Sequence, residues 1–369
     1  MESLSRILFK VRRKLRKKWR DVTLFHSYLT RRSPGRSSTA APAVWFDLTN
    51  NTYVRYLYIL FKYFESAGYQ VYVNGNLRFL LSLGDDYSRF IIEEEKVLFS
   101  AEPPAGAITF TDGRRRTPEQ RQLSNDYFRE EPGPGTYHIP IGMHPHMYKY
   151  GWWNAPVDDG NRQRSVFFAG NFDANDYKIF SATGRFTMMD RLAMAGAVAE
   201  LPECRFPKSA GELESGRRHG TIDIVDKANF VVEQSELRPT IAQYAFFIAC
   251  PGVFMPLSHN IYEAMSVGTI PILHEEYAQL FAPALVDGKN AVVFHNGNFT
   301  EKLREALAYP EEQAATMVGQ VKAYYRKHLS PEAIVNELVN GRPRALYLNA
   351  EKTSIGLLVA RARRVARAA

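Results

Sequence analysis

The sequence predicts an α/β protein with two domains, each built around a parallel β-sheet. The chain has 369 residues, and a chain of this length usually divides into more than one hydrophobic core. Residues 44–73 read as strand, turn, helix, glycine and strand, which is the pattern of a βαβ unit in a parallel sheet. A second apolar strand at 164–171 runs into a Gly-Asn turn and indicates that the pattern begins again.

Positive charge is concentrated at the two ends of the chain. The formal net charge is +8, yet residues 1–40 contain 12 Lys or Arg against 2 acidic residues, and residues 361–369 contain four Arg. The body between them is therefore mildly acidic, which argues against a nucleic-acid-binding face on a folded domain. Two cysteines cannot form a disulfide framework and no Cys/His cluster suggests zinc, so a reducing compartment is expected.

Residues 1–40 are predicted to form a basic amphipathic helix followed by a linker. Between residues 3 and 20, apolar side chains recur at helical spacing, and nine Lys or Arg fill most other positions. Such a helix suits an anionic membrane surface, which we expect residues 1–20 to contact. Packing on the chain's own fold and an RNA-binding arm are the alternatives. With no apolar run of about 18 residues and no visible signal peptide, we expect a cytoplasmic protein held peripherally at a membrane.

The two predicted domains cover residues 41–155 and 161–345, and a final helix covers 346–369. In the first domain a helix over 53–67 ends at Gly68, and the Pro- and Gly-rich stretch 131–160 is interpreted as the crossover between domains. The strands expected are at 44–48, 70–73, 96–100, 107–111, 164–171, 230–233, 246–250 and 288–294. The helices expected in the second domain are at 188–199 and 300–308.

The stretch 258–273, SHNIYEAMSVGTIPIL, is the most informative part of the sequence. Ser258 is a suitable helix N-cap, and a helix N-terminus offers N–H groups and a partial positive charge to a pyrophosphate. Glu263 follows in the next turn, where its carboxylate can accept both hydroxyls of a ribose. Gly268 is expected to end the helix before a β-branched strand. The alternative is an ordinary helix–strand junction with a solvated glutamate.

Cations near the strand ends are candidates for binding a phosphate. An Asp-x-Asp triplet after a strand is a common site for a divalent metal, and none occurs here, so neither a catalytic metal nor a cofactor is expected. Without a metal, leaving-group charge must be neutralised by cations and backbone N–H groups. Arg238, before the strand at 246–250, is the first candidate, and Arg185, after the Gly170-Asn171 turn, is the second. For both, an ordinary surface arginine is the alternative.

The segment 246–273, FFIACPGVFMPLSHNIYEAMSVGTIPIL, resembles the donor-site segment of exostosin-like glycosyltransferases. The shared features, in order, are Cys250-Pro251-Gly252, Ser258, Asn260, Glu263-Ala264 and Gly268-Thr269-Ile270-Pro271. The resemblance implies the GT-B arrangement, in which two Rossmann-like domains face each other across a cleft. It also implies a nucleotide-diphosphate-sugar donor and a glycan or lipid-linked glycan acceptor. The donor-binding residues predicted from the sequence and this resemblance are Glu263, Ser258, Asn260, Arg238, Gly170 and Arg185.

One departure from the family pattern bears on stereochemistry. Many retaining GT-B enzymes carry a second glutamate eight residues before the helix glutamate, and here that position is Met255. Inversion is therefore expected, and inversion needs a general base on the acceptor side. Asp47 and Asp112 are the leading candidates because each closes a strand of the first domain. The other candidates are His138, His144 and His146.

Two other functions remain open from the sequence. A catalytically inactive GT-B-like protein would bind glycan or nucleotide without turnover, so transfer or hydrolysis of a nucleotide sugar separates it from an enzyme. A nucleic-acid-associated protein that uses the basic ends would instead show binding with a steep salt dependence.

Overall fold

The computed structural model describes residues 18–30, 41–48, 54–74, 86–113, 117–160, 162–175 and 186–368. Residues 1–17 and Arg185 lie outside these ranges. The expectations for the basic segment before Lys18 and for Arg185 therefore stay predictions. Residues 18–30 are helical and form α1.

Strands and helices alternate over much of the described chain. The strands are β1 (Ala43–Asp47), β2 (Gln70–Val73), β3 (Val97–Phe99), β4 (Ile108–Thr111), β5 (Arg121–Ser124), β6 (Thr136–His138), β7 (Gln163–Gly170), β8 (Cys204–Arg205), β9 (Ile222–Asp226), β10 (Tyr244–Ile248), β11 (Ile270–His274), β12 (Val292–Phe294) and β13 (Ala345–Tyr347). The helices after α1 are α2 (Val54–Ser66), α3 (Asp86–Glu93), α4 (Pro145–Lys149), α5 (Arg191–Ala199), α6 (Ala210–Gly216), α7 (Gln234–Ala242), α8 (His259–Ser266), α9 (Glu275–Ala278), α10 (Phe299–Ala308), α11 (Glu311–Tyr324), α12 (Pro331–Asn336) and α13 (Lys352–Ala368).

The strands form two sheets. One has seven strands in the order β3-β2-β1-β4-β5-β13-β6, and the other has six in the order β12-β11-β10-β7-β9-β8. The recorded registers pair neighbouring strands in parallel in both sheets. Two parallel sheets flanked by helices confirm the predicted α/β fold with two Rossmann-like parts.

The chain divides into two compact units, Met1–Leu123 and Ser124–Ala369. The second unit holds the whole six-stranded sheet together with β6, β13 and α13. The predicted domain limits, 41–155, 161–345 and 346–369, stay predictions. Among the described residues, no helix is long and apolar enough to cross a membrane.

The core of the first unit forms between β1 and α2 as the βαβ pattern predicts. Phe46 of β1 is fully buried, and its ring centroid lies 4.7 Å from that of Phe61 on α2 and 5.3 Å from that of Phe110 on β4. After α2 the chain turns at Gly68, whose φ of +83° lies in the left-handed region that favours glycine. The turn returns the chain to β2, which pairs in parallel with β1.

The six-stranded sheet is covered on both faces, and its central strands are accordingly apolar. All five residues of β10 are buried, and Phe167 of β7 stacks on Tyr244 of β10 with ring centroids 4.8 Å apart. Helix α8 ends, as expected, at Gly268, where φ is +82° and the next N–H, that of Thr269, donates to the Ala264 carbonyl. Strand β11 follows at once and lies beside β10.

The strand predicted at 230–233 is wrong. The sheet strand in this region is β9, which carries Asp223 at its second position. Asp223 is fully buried, where its carboxylate pairs with Arg205 at 3.1 Å and accepts a hydrogen bond from the Tyr244 hydroxyl at 2.8 Å. Burial raises the pKa of this carboxyl group. A charged residue inside a buried strand is rare without such partners. Because Asp223 interrupts the apolar run, the apolar pattern of the sequence does not predict β9.

Candidate functional site

The carboxyl ends of β7 and β10 lie side by side at one edge of the six-stranded sheet. Phe246 and Phe247 of β10 pair with Val166 and Phe167 of β7. Strand β7 runs on to Gly170, while β10 leads into a loop that reaches α8. Open parallel sheets bind their ligands at this kind of edge, so the residues around the ends of these two strands form the candidate site.

Gly170 stands where a side chain has no room. A Cβ atom added there would lie 2.8 Å from Arg191 Nη1 and 2.8 Å from Phe168 Cζ. Neither distance is compatible with an ordinary carbon contact, so the guanidinium of Arg191 uses the space that the glycine leaves open. The predicted site residue Gly170 therefore permits a cation to approach the end of β7.

Arg191 connects the loops that follow the two strands. The residue opens α5 after the N-cap Asp190 and is only 6% exposed. Its Nη1 donates to the Asn171 carbonyl at 3.2 Å and its Nη2 to the Pro251 carbonyl at 3.3 Å. The guanidinium also lies over the Phe168 ring, 5.0 Å from its centroid. Sequence reasoning missed this residue, and the available signal was an arginine at a helix start soon after the Gly-Asn turn.

The start of α8 reaches the same edge through two predicted residues. Ser258 occupies the N-cap position, but its hydroxyl donates to Asn260 Oδ1 at 3.1 Å, and no side-chain capping bond forms. The Ser258 N–H donates to the Tyr277 hydroxyl at 2.8 Å. Asn260 Nδ2 in turn donates to the Ala169 carbonyl at 3.4 Å. The side chains of Ser258 and Asn260 thus join α8 to the end of β7.

The loop between β10 and α8 folds tightly on itself. A Cβ atom on Gly252 would lie 2.9 Å from the Met255 carbonyl oxygen and 3.1 Å from that of Leu257, so this close approach requires glycine.

Met255, at the position of the missing second glutamate, is buried. Burial raises the pKa of the Cys250 thiol to about 12, so this thiol stays protonated and is not a nucleophile.

Glu263 is fully buried, which excludes the solvated glutamate considered from the sequence. The side chain is 0% exposed, and Oε1 accepts the backbone N–H of His144 at 3.0 Å. The same oxygen lies 3.0 Å from Nδ1 of His259, one helical turn earlier on α8. The His259 side chain keeps 28% of its surface exposed, so solvent reaches the imidazole of this pair and not the carboxylate.

The rings of His259, His144 and His146 follow one another, and the first of them contacts this buried carboxylate. The ring centroids of His144 and His259 are 5.2 Å apart, and those of His144 and His146 are 4.8 Å apart. His146 Nδ1 lies 3.0 Å from the Gln234 side-chain oxygen at the start of α7. His144 and His146, named from the sequence as candidates for the base, therefore lie on the second unit beside Glu263.

Arg238 lies behind α8 and is buried. Its guanidinium donates to the carbonyls of Trp152 and Ala155, at 2.5 Å and 3.1 Å, and to the hydroxyl of Ser266 at 3.0 Å. Burial lowers the pKa of this guanidinium. These bonds give Arg238 a structural role in holding the segment after α4 against α7 and α8. The phosphate contact expected of it stays a prediction.

The candidate bases of the first unit lie at neighbouring strand ends, as expected from the sequence. Asp47 closes β1, and its Oδ1 accepts a hydrogen bond from Asn74 Nδ2 at 2.8 Å. The backbone N–H of Asp112, just after β4, donates to the Asp47 carbonyl at 3.4 Å. His138, the remaining candidate, is buried on β6 and stacks on Tyr347 at 4.7 Å, and burial lowers its pKa. The catalytic roles of Asp47, Asp112 and His138 stay predictions.

Among the described residues, no group of three or more His, Cys, Asp or Glu is arranged to hold a metal ion. The adjacent acidic pair Asp158-Asp159 instead serves the fold. Asp159 pairs with Arg162 at 3.1 Å and with Lys322 at 2.5 Å, and the hydrogen bond from Lys322 lowers the pKa of its carboxyl group.

Comparisons with known proteins give remote structural likenesses. No protein-family model and no curated protein matches the chain. The chain is similar to the N-terminal domain of Candida albicans trehalose-6-phosphate phosphatase, at 9% identity and a TM-score of 0.36, over 82% of this chain and 70% of that one. It is also similar to an α1,3-fucosyltransferase, at 12% identity and a TM-score of 0.32, over 85% of this chain and 93% of that one. Likenesses this remote carry no argument about activity.

The burial of Glu263 predicts two different costs of substitution. Glu263→Ala should lower the free energy of unfolding by about 3 kcal/mol, because it leaves a cavity and removes the acceptor of the His144 N–H. Glu263→Gln should cost about 1 kcal/mol, because the amide oxygen still accepts that bond. Urea unfolding followed by circular dichroism measures both. If each variant loses less than about 0.5 kcal/mol, as surface substitutions do, the buried contact described here is contradicted.

Proposed function

We propose that the chain is a glycosyltransferase of the GT-B type, related to the exostosin-like enzymes. It would move a sugar from a nucleotide-diphosphate donor to a hydroxyl of a glycan or lipid-linked glycan. The observation that supports this most is the group at the carboxyl ends of β7 and β10. There Arg191, in the space left by Gly170, bonds to the loops after both strands, and Asn260 at the start of α8 bonds to the Ala169 carbonyl. Facing domains with a cleft between them are part of this proposal.

The donor's diphosphate would bind at this edge of the six-stranded sheet. The Arg191 guanidinium supplies a fixed positive charge, and the first turn of α8 supplies backbone N–H groups and the positive end of the helix dipole. Ser258 and Asn260 hold that helix end against β7 and offer hydroxyl and amide groups to the donor. Arg185 is a further phosphate contact in this proposal.

Glu263 would anchor the donor through His259. The carboxylate is enclosed, whereas the imidazole 3.0 Å from it is partly exposed, so the imidazole is the member of the pair that a bound ligand meets. A buried carboxylate beside Nδ1 fixes the orientation of the ring. An imidazole oriented in this way can donate a hydrogen bond to the diphosphate.

The transfer would proceed with inversion and without a metal. A carboxylate of the first unit, Asp47 or Asp112, takes the proton from the acceptor hydroxyl as the hydroxyl oxygen forms a bond to the anomeric carbon. The bond from that carbon to the donor's phosphate oxygen breaks, and the nucleoside diphosphate leaves with the electron pair. Arg191 neutralises the charge that develops on this leaving group, and His259 donates a hydrogen bond to it.

We also propose that the N-terminal helix holds the enzyme at an anionic membrane, through residues 1–20 and the outer face of α1. Four large apolar side chains on α1 are exposed at helical spacing, Trp19 (72%), Val22 (62%), Phe25 (48%) and Leu29 (48%). The other side of α1 packs on the first unit, where Leu24 is buried and the ring of Tyr28 lies 4.9 Å from that of Phe99. An exposed apolar stripe beside a cationic segment fits a membrane surface with acidic lipids.

Replacement of Arg191 tests the donor site. Arg191→Lys keeps the charge but loses the fork that spans the Asn171 and Pro251 carbonyls, so affinity for nucleoside diphosphates should fall about tenfold. Titration calorimetry with UDP, GDP, ADP and dTDP in turn measures the affinity.

Arg162→Lys is the matched control, because Arg162 is equally bonded to the protein but at the amino ends of the strands. Its guanidinium donates to the Tyr244 carbonyl and the Thr269 hydroxyl, each at 2.7 Å. This variant should lose stability and keep its nucleotide affinity. Unchanged affinity in Arg191→Lys, or an equal loss in both variants, would contradict the assignment.

The membrane proposal is tested with vesicles. Removal of residues 1–20, or the double substitution Val22→Ser with Phe25→Ser, should release the protein from vesicles containing phosphatidylserine while transfer to a soluble acceptor is kept. Co-sedimentation measures the bound fraction. The control is Val231→Ser with Val286→Ser, which removes apolar side chains of similar exposure elsewhere. Equal binding of all these proteins to the vesicles would sink the proposal.

A further inference from the structure

A cavity in the unit Ser124–Ala369 is lined by residues other than those assigned to the donor. It has a volume of about 190 Å³ and lies between the segment that joins β5 to β6 and the region of α9. Its walls include Tyr127, Phe128, Phe186 and Gln279. Pockets that enclose drug-sized ligands have volumes of about 300–1,000 Å³, so this one has room for a single ring.

Aromatic side chains form the apolar part of the cavity. The rings of Phe128 and Phe186 meet edge to face with centroids 5.6 Å apart, and Tyr127 meets Phe128 in the same way at 5.3 Å. Phe128 and Phe186 are only half-buried, so part of each ring faces the cavity and not the core. Half-exposed aromatic faces of this kind offer a flat apolar surface to a ligand.

The polar part of the cavity consists mainly of groups that accept hydrogen bonds. Three of the described residues that line it are glutamates, Glu130, Glu131 and Glu276, and that lining contains no lysine or arginine. Ionised carboxylates only accept hydrogen bonds, so an anionic ligand such as a phosphate is disfavoured. A ligand that suits this lining must donate hydrogen bonds and carry an apolar face.

Two of these carboxylates are already held in place by the protein. Glu276 accepts from the Thr187 hydroxyl at 2.8 Å and from the backbone N–H groups of Thr187 and Met188, at 2.9 Å and 3.2 Å. Glu130 pairs with Arg344 at 2.6 Å, and that hydrogen bond lowers the pKa of the Glu130 carboxyl group. Such groups are oriented in advance and partly neutralised, which suits neutral hydroxyl donors better than an ammonium ion.

We propose that this cavity binds one sugar ring, with the C–H face of the ring on Phe128 and Phe186 and its hydroxyls donating to the surrounding carboxylates. A pyranose combines a small apolar face with several hydroxyl donors, which is the combination that the lining requires. Identification of this ring with part of the acceptor rests on the proposed transferase function. Binding of the ring itself does not, because it needs neither donor nor turnover.

Direct binding of simple glycosides to the whole chain tests the proposal. Saturation-transfer difference NMR, without nucleotide, would screen the methyl glycosides of glucose, galactose, mannose and N-acetylglucosamine. At least one should bind, and Phe186→Ala should weaken it about tenfold. Phe206→Ala is the matched control, because Phe206 is an exposed aromatic residue of the same unit that does not line the cavity. Phe128→Leu is a second cavity variant, used if Phe186→Ala loses its native circular dichroism spectrum.

The outcomes separate this proposal from the proposed function. Failure of every glycoside to bind, equal binding by the cavity and control variants, or displacement of the bound glycoside by tetramethylammonium would overturn the sugar subsite. Glycoside binding that depends on Phe186, in a chain that transfers no sugar, would uphold the subsite and reject the transferase. Sugar transfer with an acceptor KM unchanged by Phe186→Ala would uphold the transferase and reject the identification of this ring with part of the acceptor.

Discussion

Burial of the Glu263 carboxylate is the constraint on which the arrangement of the candidate site depends. An ionised carboxylate without solvent needs donors close by, and the structure supplies the His144 N–H and the His259 imidazole. The first belongs to the segment before α4 and the second to the first turn of α8. Satisfying one side chain therefore fixes both segments, and with them the end of α8 that meets β7.

Two arginines with little exposed surface, Arg162 and Arg191, bond at opposite ends of strands in the six-stranded sheet. Arg162 bonds to carbonyls near the amino ends of the strands, including that of Val267 at 2.7 Å. Arg191 bonds instead to the loops that follow the carboxyl ends of β7 and β10. Burial lowers the pKa of Arg162, whose guanidinium satisfies carbonyls inside the protein. Both positions need the fork of an arginine. Only Arg191 lies at the edge where parallel sheets bind ligands, which is why we assign the diphosphate to it.

Much of the fold could be predicted from local patterns in the sequence, because apolar runs and glycines act over short distances. The strand at 163–170, the strand at 244–248 and the helix end at Gly268 are of this kind. Strand β9 could not be predicted because Asp223 interrupts its pattern, and its partners lie on other strands. Prediction of the site is limited in the same way. The local helix pattern identified Glu263 as a candidate, but its burial depends on a contact with His144, which is 119 residues away in the sequence. Arg191 was missed because its role comes from two distant carbonyls.

The central claim is that a nucleotide-diphosphate sugar binds at the carboxyl ends of β7 and β10. Amide hydrogen exchange of the whole chain, with and without the nucleoside diphosphate that binds most tightly, tests it most directly. We predict slower exchange in peptides covering residues 168–173 and 250–263, with no change around β8 and β9. Protection confined to other segments, or no protection by any nucleoside diphosphate, would contradict the account.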